Sequence, residues 1–127
     1  MDVMQLGQKM VEMVNAGRDS EWSFVEQHYA GQVVSIEGGS SDGDMPQKME
    51  GLEAIKGKHD WWYANNEVHG TRAEGPYCGH RDDQFVLRFL MDITPKEGER
   101  MQMDEVGIFT VADGKVVQEE FLYRTGI

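Results

Sequence analysis

A histidine lies on the apolar face of a segment near the middle of the chain that we predict to be helical. The segment from Glu50 to Asn66 has the spacing of one amphipathic helix, and Ile55 and Trp62 fall on a stripe that His59 completes. A titratable ring that faces inward beside a tryptophan is either a buried, hydrogen-bonded core residue or part of a pocket wall. In a pocket wall, the ring could donate a proton to a ligand or polarise a carbonyl group from its N–H.

Acidic residues on the last two predicted strands share faces with apolar residues. Strand alternation puts Glu119 on one face with three apolar or aromatic residues, Val117, Phe121 and Tyr123. On the preceding strand, Glu105 and Phe109 would face the same way. A carboxylate enclosed by aromatic walls loses hydration, so its pKa rises toward the range of a general base. Together with a histidine, such a group could drive a double-bond shift, an aldol-type ring closure or a dehydration.

The elements that position these residues follow the order of an α+β domain. We predict two N-terminal helices, a strand at Gln32 to Glu37, a loop at Gly38 to Lys48, and then the helix that carries His59. Four more strands are predicted at Val68 to Tyr77, Gln84 to Thr94, Met101 to Ala112 and Lys115 to Tyr123. An antiparallel sheet that curves and is closed by helices on one face encloses a cavity.

Size and charge limit the classes of partner. The 127 residues suit one domain, and 12 Lys plus Arg against 23 Asp plus Glu give a formal charge of -11, which argues against nucleic acid. Apolar runs are too short to span a membrane, and the N-terminus lacks the pattern of a secretory signal. The single cysteine, Cys78, fits a reducing cytoplasm, where we expect the protein to reside.

Three motifs in order resemble the nuclear transport factor two-like superfamily, and within it the SnoaL-like and ketosteroid isomerase-like branch. They are Asn15-Ala16-Gly17, the run from Gly51 to Ile55, and the run from Phe109 to Val116. The resemblance covers nearly the whole chain and implies a single domain at residues 1–127. It implies a cone in which a curved antiparallel sheet wraps around a long helix, with a pocket at the wide end. Many members pair through the outer face of the sheet, so a homodimer is expected.

The resemblance also assigns positions to the catalytic groups of the isomerases. Glu37 occupies the place of their general-base aspartate, at the end of the first strand. The two oxyanion donors would fall at Met10 and near Gly107, and neither residue can donate the required hydrogen bond. Steroid isomerase activity is therefore not expected.

The expected site combines three catalytic candidates, Glu37, His59 and Glu119. Five residues are expected to contact the ligand: Trp62, Glu105, Phe109, Phe121 and Tyr123. The predicted activity is acid–base chemistry on a small hydrophobic carbonyl compound, with a glutamate as base, His59 as the partner acid, and neither cofactor nor metal. There are two alternatives: a binding protein without catalytic activity, and a dimeric interaction module. In either case Glu37 would be a solvated carboxylate and His59 a core residue.

Overall fold

The computed structural model describes residues 1–38 and 47–123, which contain three helices and six strands. In chain order these are α1 (Val3–Asn15), α2 (Arg18–His28), β1 (Tyr29–Glu37), β2 (Lys48–Glu50), α3 (Leu52–Asn65), β3 (Asn66–Tyr77), β4 (Gln84–Pro95), β5 (Met101–Ala112) and β6 (Lys115–Leu122). Most of the loop predicted at residues 38–48 lies outside the described residues.

The six strands form one curved, unclosed sheet in the order β2-β1-β6-β5-β4-β3. The predicted α+β cone is confirmed, but the prediction that its sheet is antiparallel is wrong at one place, because β1 and β6 pair in parallel. Strand periodicity does not reveal direction, and α3 and four strands separate β1 from β6 in the chain. The parallel pairing places Ser35 beside Glu119, which matters for the site below.

Helix α1 covers the inner face of the sheet. Its first turn is closed by the reciprocal hydrogen bonds of a capping box between Asp2 and Gln5. Its last residue, Asn15, accepts a hydrogen bond from the backbone N–H of Ala73 (2.7 Å) and donates one to the carbonyl of the same residue (3.0 Å). The asparagine of the Asn-Ala-Gly motif therefore fastens the end of α1 to β3.

The start of β1 and the middle of the hairpin β5–β6 differ from prediction. The first strand begins at Tyr29 rather than at Gln32, because the backbone becomes extended as soon as α2 ends. The register shifts between Thr110 and Val111 of β5, which pair with Gln118 and Val116 of β6, so Val116 and not Val117 is the fully buried residue. A β-bulge of this kind inserts one extra residue into a strand, so the residues before and after it follow opposite alternations between the two faces of the sheet.

The outer face of the sheet carries ion pairs within the chain. Arg88 forms a two-pronged pair with Asp104 across β4 and β5, and Arg100 forms another with Asp92. Arg88 and Asp92 alternate along β4 with the buried residues Leu87, Phe89 and Met91, which places these charges on the outer face. Among the described residues, no helix has the length and apolar character required to cross a membrane.

Candidate functional site

A cavity of about 350 Å³ lies between the inner face of the sheet and the helices. Side chains from each of the three helices and from the strands contribute to its wall. Much of the wall is aromatic or sulfur-containing, and four carboxylates of the described residues reach it: Glu21, Glu37, Glu105 and Glu119. The cavity is therefore apolar with a few polar groups, which is the usual composition of a small-molecule site.

Seven of the eight predicted site residues line this cavity: Glu37, His59, Trp62, Glu105, Glu119, Phe121 and Tyr123. The eighth, Phe109, is fully buried behind the wall, where it stacks on Phe85 with ring centroids 5.0 Å apart. Phe109 does not line the cavity, because Phe121 and Phe89 pack edge-on against its ring and occupy the positions nearer the cavity.

Glu119 is buried and accepts hydrogen bonds at both carboxylate oxygens. The hydroxyl of Tyr29 donates to one oxygen, and the hydroxyl of Ser35 donates to the other at 2.9 Å. Burial raises the pKa of Glu119, while the charge of Lys58 and the two hydroxyl groups oppose that rise. Because both oxygens have partners, Glu119 is suited to holding Tyr29 and Ser35 in place.

Lys58 is the one lysine of the described chain that lines the cavity. Its ammonium group forms an ion pair with Glu37, donates to the Ser35 hydroxyl at 2.7 Å, and lies 4.8 Å from the centroid of the Phe121 ring. The side chains of Lys58 and Glu37 are only 19% and 25% exposed, so solvent screens this ion pair less than a surface pair. A hydrogen-bonded chain thus runs from Glu37 through Lys58 and Ser35 to Glu119.

Glu105 reaches the same region from β5, where it pairs across the sheet with Phe89. Burial raises the pKa of Glu105 from 4.5 to about 7, repulsion from Glu37 adds to the rise, and Lys58 opposes it. A carboxyl group that is half ionised near neutral pH can both take up and return a proton.

His59 lies at a different part of the wall from the one that the sequence suggested. Its Nε2 atom is 3.9 Å from a carboxylate oxygen of Glu21, and its ring lies 5.1 Å from that of Trp22 and 4.9 Å from that of Tyr63. The carboxylate contacts that the structure records for His59 are with Glu21 and Asp60, not with the predicted partners Glu37 and Glu119. Burial, followed by the charge of Arg18, lowers the pKa of His59 and so favours the neutral ring, while Asp60 opposes this shift.

Sequence reasoning missed Lys58, Glu21, Tyr29 and Ser35. Lys58 falls on the Ile55 and Trp62 stripe at helical spacing, so that spacing could have indicated it beside His59. Ser35 lies two residues before Glu37 on β1, so the two side chains share one face of the strand. This spacing could have placed Ser35 on the inner face together with Glu37. Nothing in the sequence pattern brings Glu21 of α2 to His59 of α3, because that contact depends on how the helices pack.

The two positions that the resemblance assigned to isomerase oxyanion donors are structurally informative. Met10 lines the cavity, where its thioether offers no hydrogen-bond donor. Gly107 is buried, and a Cβ atom there would lie 2.7 Å from the ring of Phe109 and 3.0 Å from that of Phe89. An aspartate would not fit at position 107 unless both rings moved.

The described residues hold no group of three His, Cys, Asp or Glu side chains that could bind a metal ion. The turn that carries Cys78 is exposed, and His69 lies on the surface, where its ring hydrogen-bonds to Thr94.

The helices, the curved sheet and the internal cavity define a protein of the nuclear transport factor two-like class. The family model described as a SnoaL-like domain matches residues 2–123, and the chain belongs to that family. A search of curated proteins found no match.

Solved structures agree with this assignment. A Mesorhizobium loti protein is 39% identical to this chain, and the match covers 97% of this chain and 100% of that chain, with a TM-score of 0.85. That protein carries the provisional name SnoaL-like polyketide cyclase, followed by carbohydrate phosphatase in brackets. A nuclear transport factor two-like protein of unknown function from Burkholderia pseudomallei is 14% identical over 98% of this chain and 92% of its own, with a TM-score of 0.76. A protein from Bacillus subtilis, provisionally named an isomerase, is 15% identical over 96% and 86%, with a TM-score of 0.72. At 14% and 15% identity, the Burkholderia pseudomallei and Bacillus subtilis structures support the fold assignment only.

Proposed function

We propose that the protein catalyses proton transfer on a small hydrophobic carbonyl compound bound in the cavity, without a cofactor. The observation that carries the proposal is the position of Lys58, whose ammonium group lies within an aromatic cavity beside a chain of carboxylate and hydroxyl groups. Polyketide cyclase is a name given to the Mesorhizobium loti relative, and cyclisation of a polyketide is one form that such chemistry takes.

Glu105 is the base in this proposal. Its carboxylate removes a proton from the carbon next to the ligand carbonyl, and the electron pair of the C–H bond moves into an enolate. The resulting carboxylic acid returns the proton to carbon, at the same or at a conjugated position, which restores the carbonyl group and the base. A pKa of about 7 leaves Glu105 able to perform both steps near neutral pH.

Lys58 stabilises the negative charge that develops on the enolate oxygen. Within the described residues, Glu37 and Ser35 engage two of the three N–H groups of the ammonium. The third N–H is left to donate to a ligand oxygen, and an apolar wall strengthens that interaction because it excludes water. The predicted role of Glu37 as base is replaced here by a role in orienting Lys58, and Glu119 anchors the hydroxyl of Ser35.

The test is deuterium exchange at the activated carbon of 2-tetralone in D₂O, followed by proton NMR. We expect the native chain to accelerate exchange over buffer, with a rate that rises as the pH passes through about 7 because Glu105 must be ionised. Glu105→Gln and Lys58→Met should each reduce the acceleration by about 100-fold or more. The matched controls Glu99→Gln and Lys56→Met change exposed side chains and should leave the rate unaltered.

Binding of 2-tetralone without accelerated exchange would favour the alternative that the protein only holds its ligand. Exchange that survives Glu105→Gln would show that another group is the base.

A further inference from the structure

The cavity contains a second polar group of side chains, which the proposed proton transfer does not use. It consists of Glu21 from α2 and His59 and Tyr63 from α3. Within the described residues, the Nε2 atom of His59 is buried and has no hydrogen-bond partner. Buried polar atoms in folded proteins nearly always have a partner, so an unpartnered nitrogen in a cavity wall indicates a place for a ligand atom.

The distance between Glu21 and His59 fits a bridging atom. Nε2 of His59 and Oε1 of Glu21 are 3.9 Å apart, which is too far for a direct hydrogen bond. One oxygen atom can lie about 2.8 Å from both of them at the same time. The gap therefore matches a single hydroxyl group or water molecule.

Both side chains are held in place before a ligand arrives. The imidazole of His59 packs between the rings of Trp22 and Tyr63. The Tyr63 hydroxyl donates to Oε2 of Glu21 at 3.3 Å, which leaves Oε1 as the oxygen nearer His59. Arg18 in turn lies 4.1 Å from the centroid of the Tyr63 ring. The pair is thus preorganised by aromatic and hydrogen-bonding neighbours.

We propose that Glu21 and His59 bind a hydroxyl group of the ligand between Oε1 and Nε2, so that the substrate is a carbonyl compound that also carries a hydroxyl group. Burial raises the pKa of Glu21 from 4.5 to about 7, so above that pH the side chain is a carboxylate that can only accept. A hydroxyl then donates to Glu21 and accepts from the N–H of a His59 ring that carries its proton on Nε2. A carbonyl oxygen could only accept, so above pH 7 it would leave the Glu21 carboxylate without a hydrogen-bond donor. The carbonyl half of this assignment rests on the proposed function, whereas the hydroxyl subsite does not.

The subsite is tested with phenol and with fluorobenzene, which has nearly the same size and no hydroxyl group. Each is titrated into protein whose histidines carry ¹⁵N in the ring, and the Nε2 resonance of His59 is followed. We expect phenol to bind about tenfold more tightly than fluorobenzene and to shift that resonance, because only phenol forms the two hydrogen bonds.

Two variants remove the subsite. His59→Phe and Glu21→Met should each bring the affinities of phenol and fluorobenzene to within about twofold. The matched controls His80→Phe and Glu26→Met, which alter exposed residues, should keep the tenfold preference. The resonance shift in the native protein provides the test even if one of the cavity variants fails to fold.

Equal affinities, absence of phenol binding, or phenol binding that leaves the His59 resonance in place would each overturn the proposal. The outcome is independent of the tetralone assay. A phenol preference without deuterium exchange would refute the catalytic proposal alone, and exchange without a phenol preference would refute the hydroxyl subsite alone.

Discussion

Replacing Glu105 by glutamine should stabilise the protein at pH 8 much more than at pH 5. The folded chain raises the pKa of Glu105 from 4.5 to about 7, chiefly by burying the carboxyl group. Between those two pH values the folded state holds a proton that the unfolded state has released, so the free energy of unfolding falls as the pH rises. Below 4.5 both states are protonated at this residue, and above about 7 the loss is complete.

The size of the effect follows from the interval between the two pKa values. At about 1.4 kcal/mol for each pH unit between 4.5 and about 7, ionised Glu105 lowers the free energy of unfolding by about 3.5 kcal/mol. About 2.5 kcal/mol of that loss develops between pH 5 and pH 8, because a small part has already occurred at pH 5. Glutamine has nearly the same shape as glutamic acid but does not ionise, so the variant avoids the loss.

The measurement is urea unfolding of the native chain and of Glu105→Gln at several pH values between 4 and 8.5. The quantity of interest is the difference between the two free energies of unfolding, since titrating groups that do not interact with Glu105 contribute equally to both chains and cancel. Glu99→Gln, on an exposed segment just before β5, is the matched control for the same change of side chain outside the cavity. A Glu105→Gln difference that stays constant from pH 5 to pH 8 would refute the reasoning, because the side chain would then titrate alike in both states.

Two further substitutions test individual contacts. Tyr29→Phe removes a hydroxyl that donates to the buried carboxylate of Glu119, so we expect a loss of about 1–3 kcal/mol in the free energy of unfolding and a further rise in the pKa of Glu119, observed by carbon NMR. Asn15→Leu removes both hydrogen bonds to Ala73, so we expect a loss of about 1–3 kcal/mol and faster hydrogen exchange at the Ala73 amide.

The tyrosine substitution has a comparison within the chain. Tyr77→Phe changes a tyrosine that is 53% exposed and should leave the free energy of unfolding within about 0.5 kcal/mol of the native value. Unchanged stability in Tyr29→Phe would mean that Glu119 does not depend on the tyrosine hydroxyl. Unchanged exchange at Ala73 in Asn15→Leu would mean that packing alone holds α1 on β3.

The sequence predicted the site best where strand alternation or helical spacing alone decides to which side a side chain points. Alternation along β6 placed Glu119 on the inner face, and its relative exposure is 5%. Helical spacing placed His59 and Trp62 on a common stripe, and both line the cavity. These inferences depend on a few consecutive residues and on the geometry of one element, which the sequence specifies directly.

Contacts between elements that are distant in the chain could not be read in this way. Glu21 meets His59 because α2 and α3 pack at a particular angle, and Ser35 meets Glu119 because β1 and β6 lie in parallel. Lys58 was overlooked because lysines usually lie in solvent, and its burial is tolerated only because Glu37 and Ser35 receive its charge and its hydrogen bonds. Which side chains contact one another depends on the assembled fold, whereas the side to which a side chain points depends on its own helix or strand.

Asn15, the last residue of α1, also affects whether a strand from another molecule can pair with the edge of the sheet. β3 is the last strand at one side of the described sheet, and an unpaired strand edge is a template on which a strand from another molecule can add. At Ala73 the amide of Asn15 occupies both backbone groups that such a strand would use. The side chain acts as a one-residue substitute for a neighbouring strand. Asn15 therefore blocks strand addition at Ala73, in the part of β3 that lies against the end of α1.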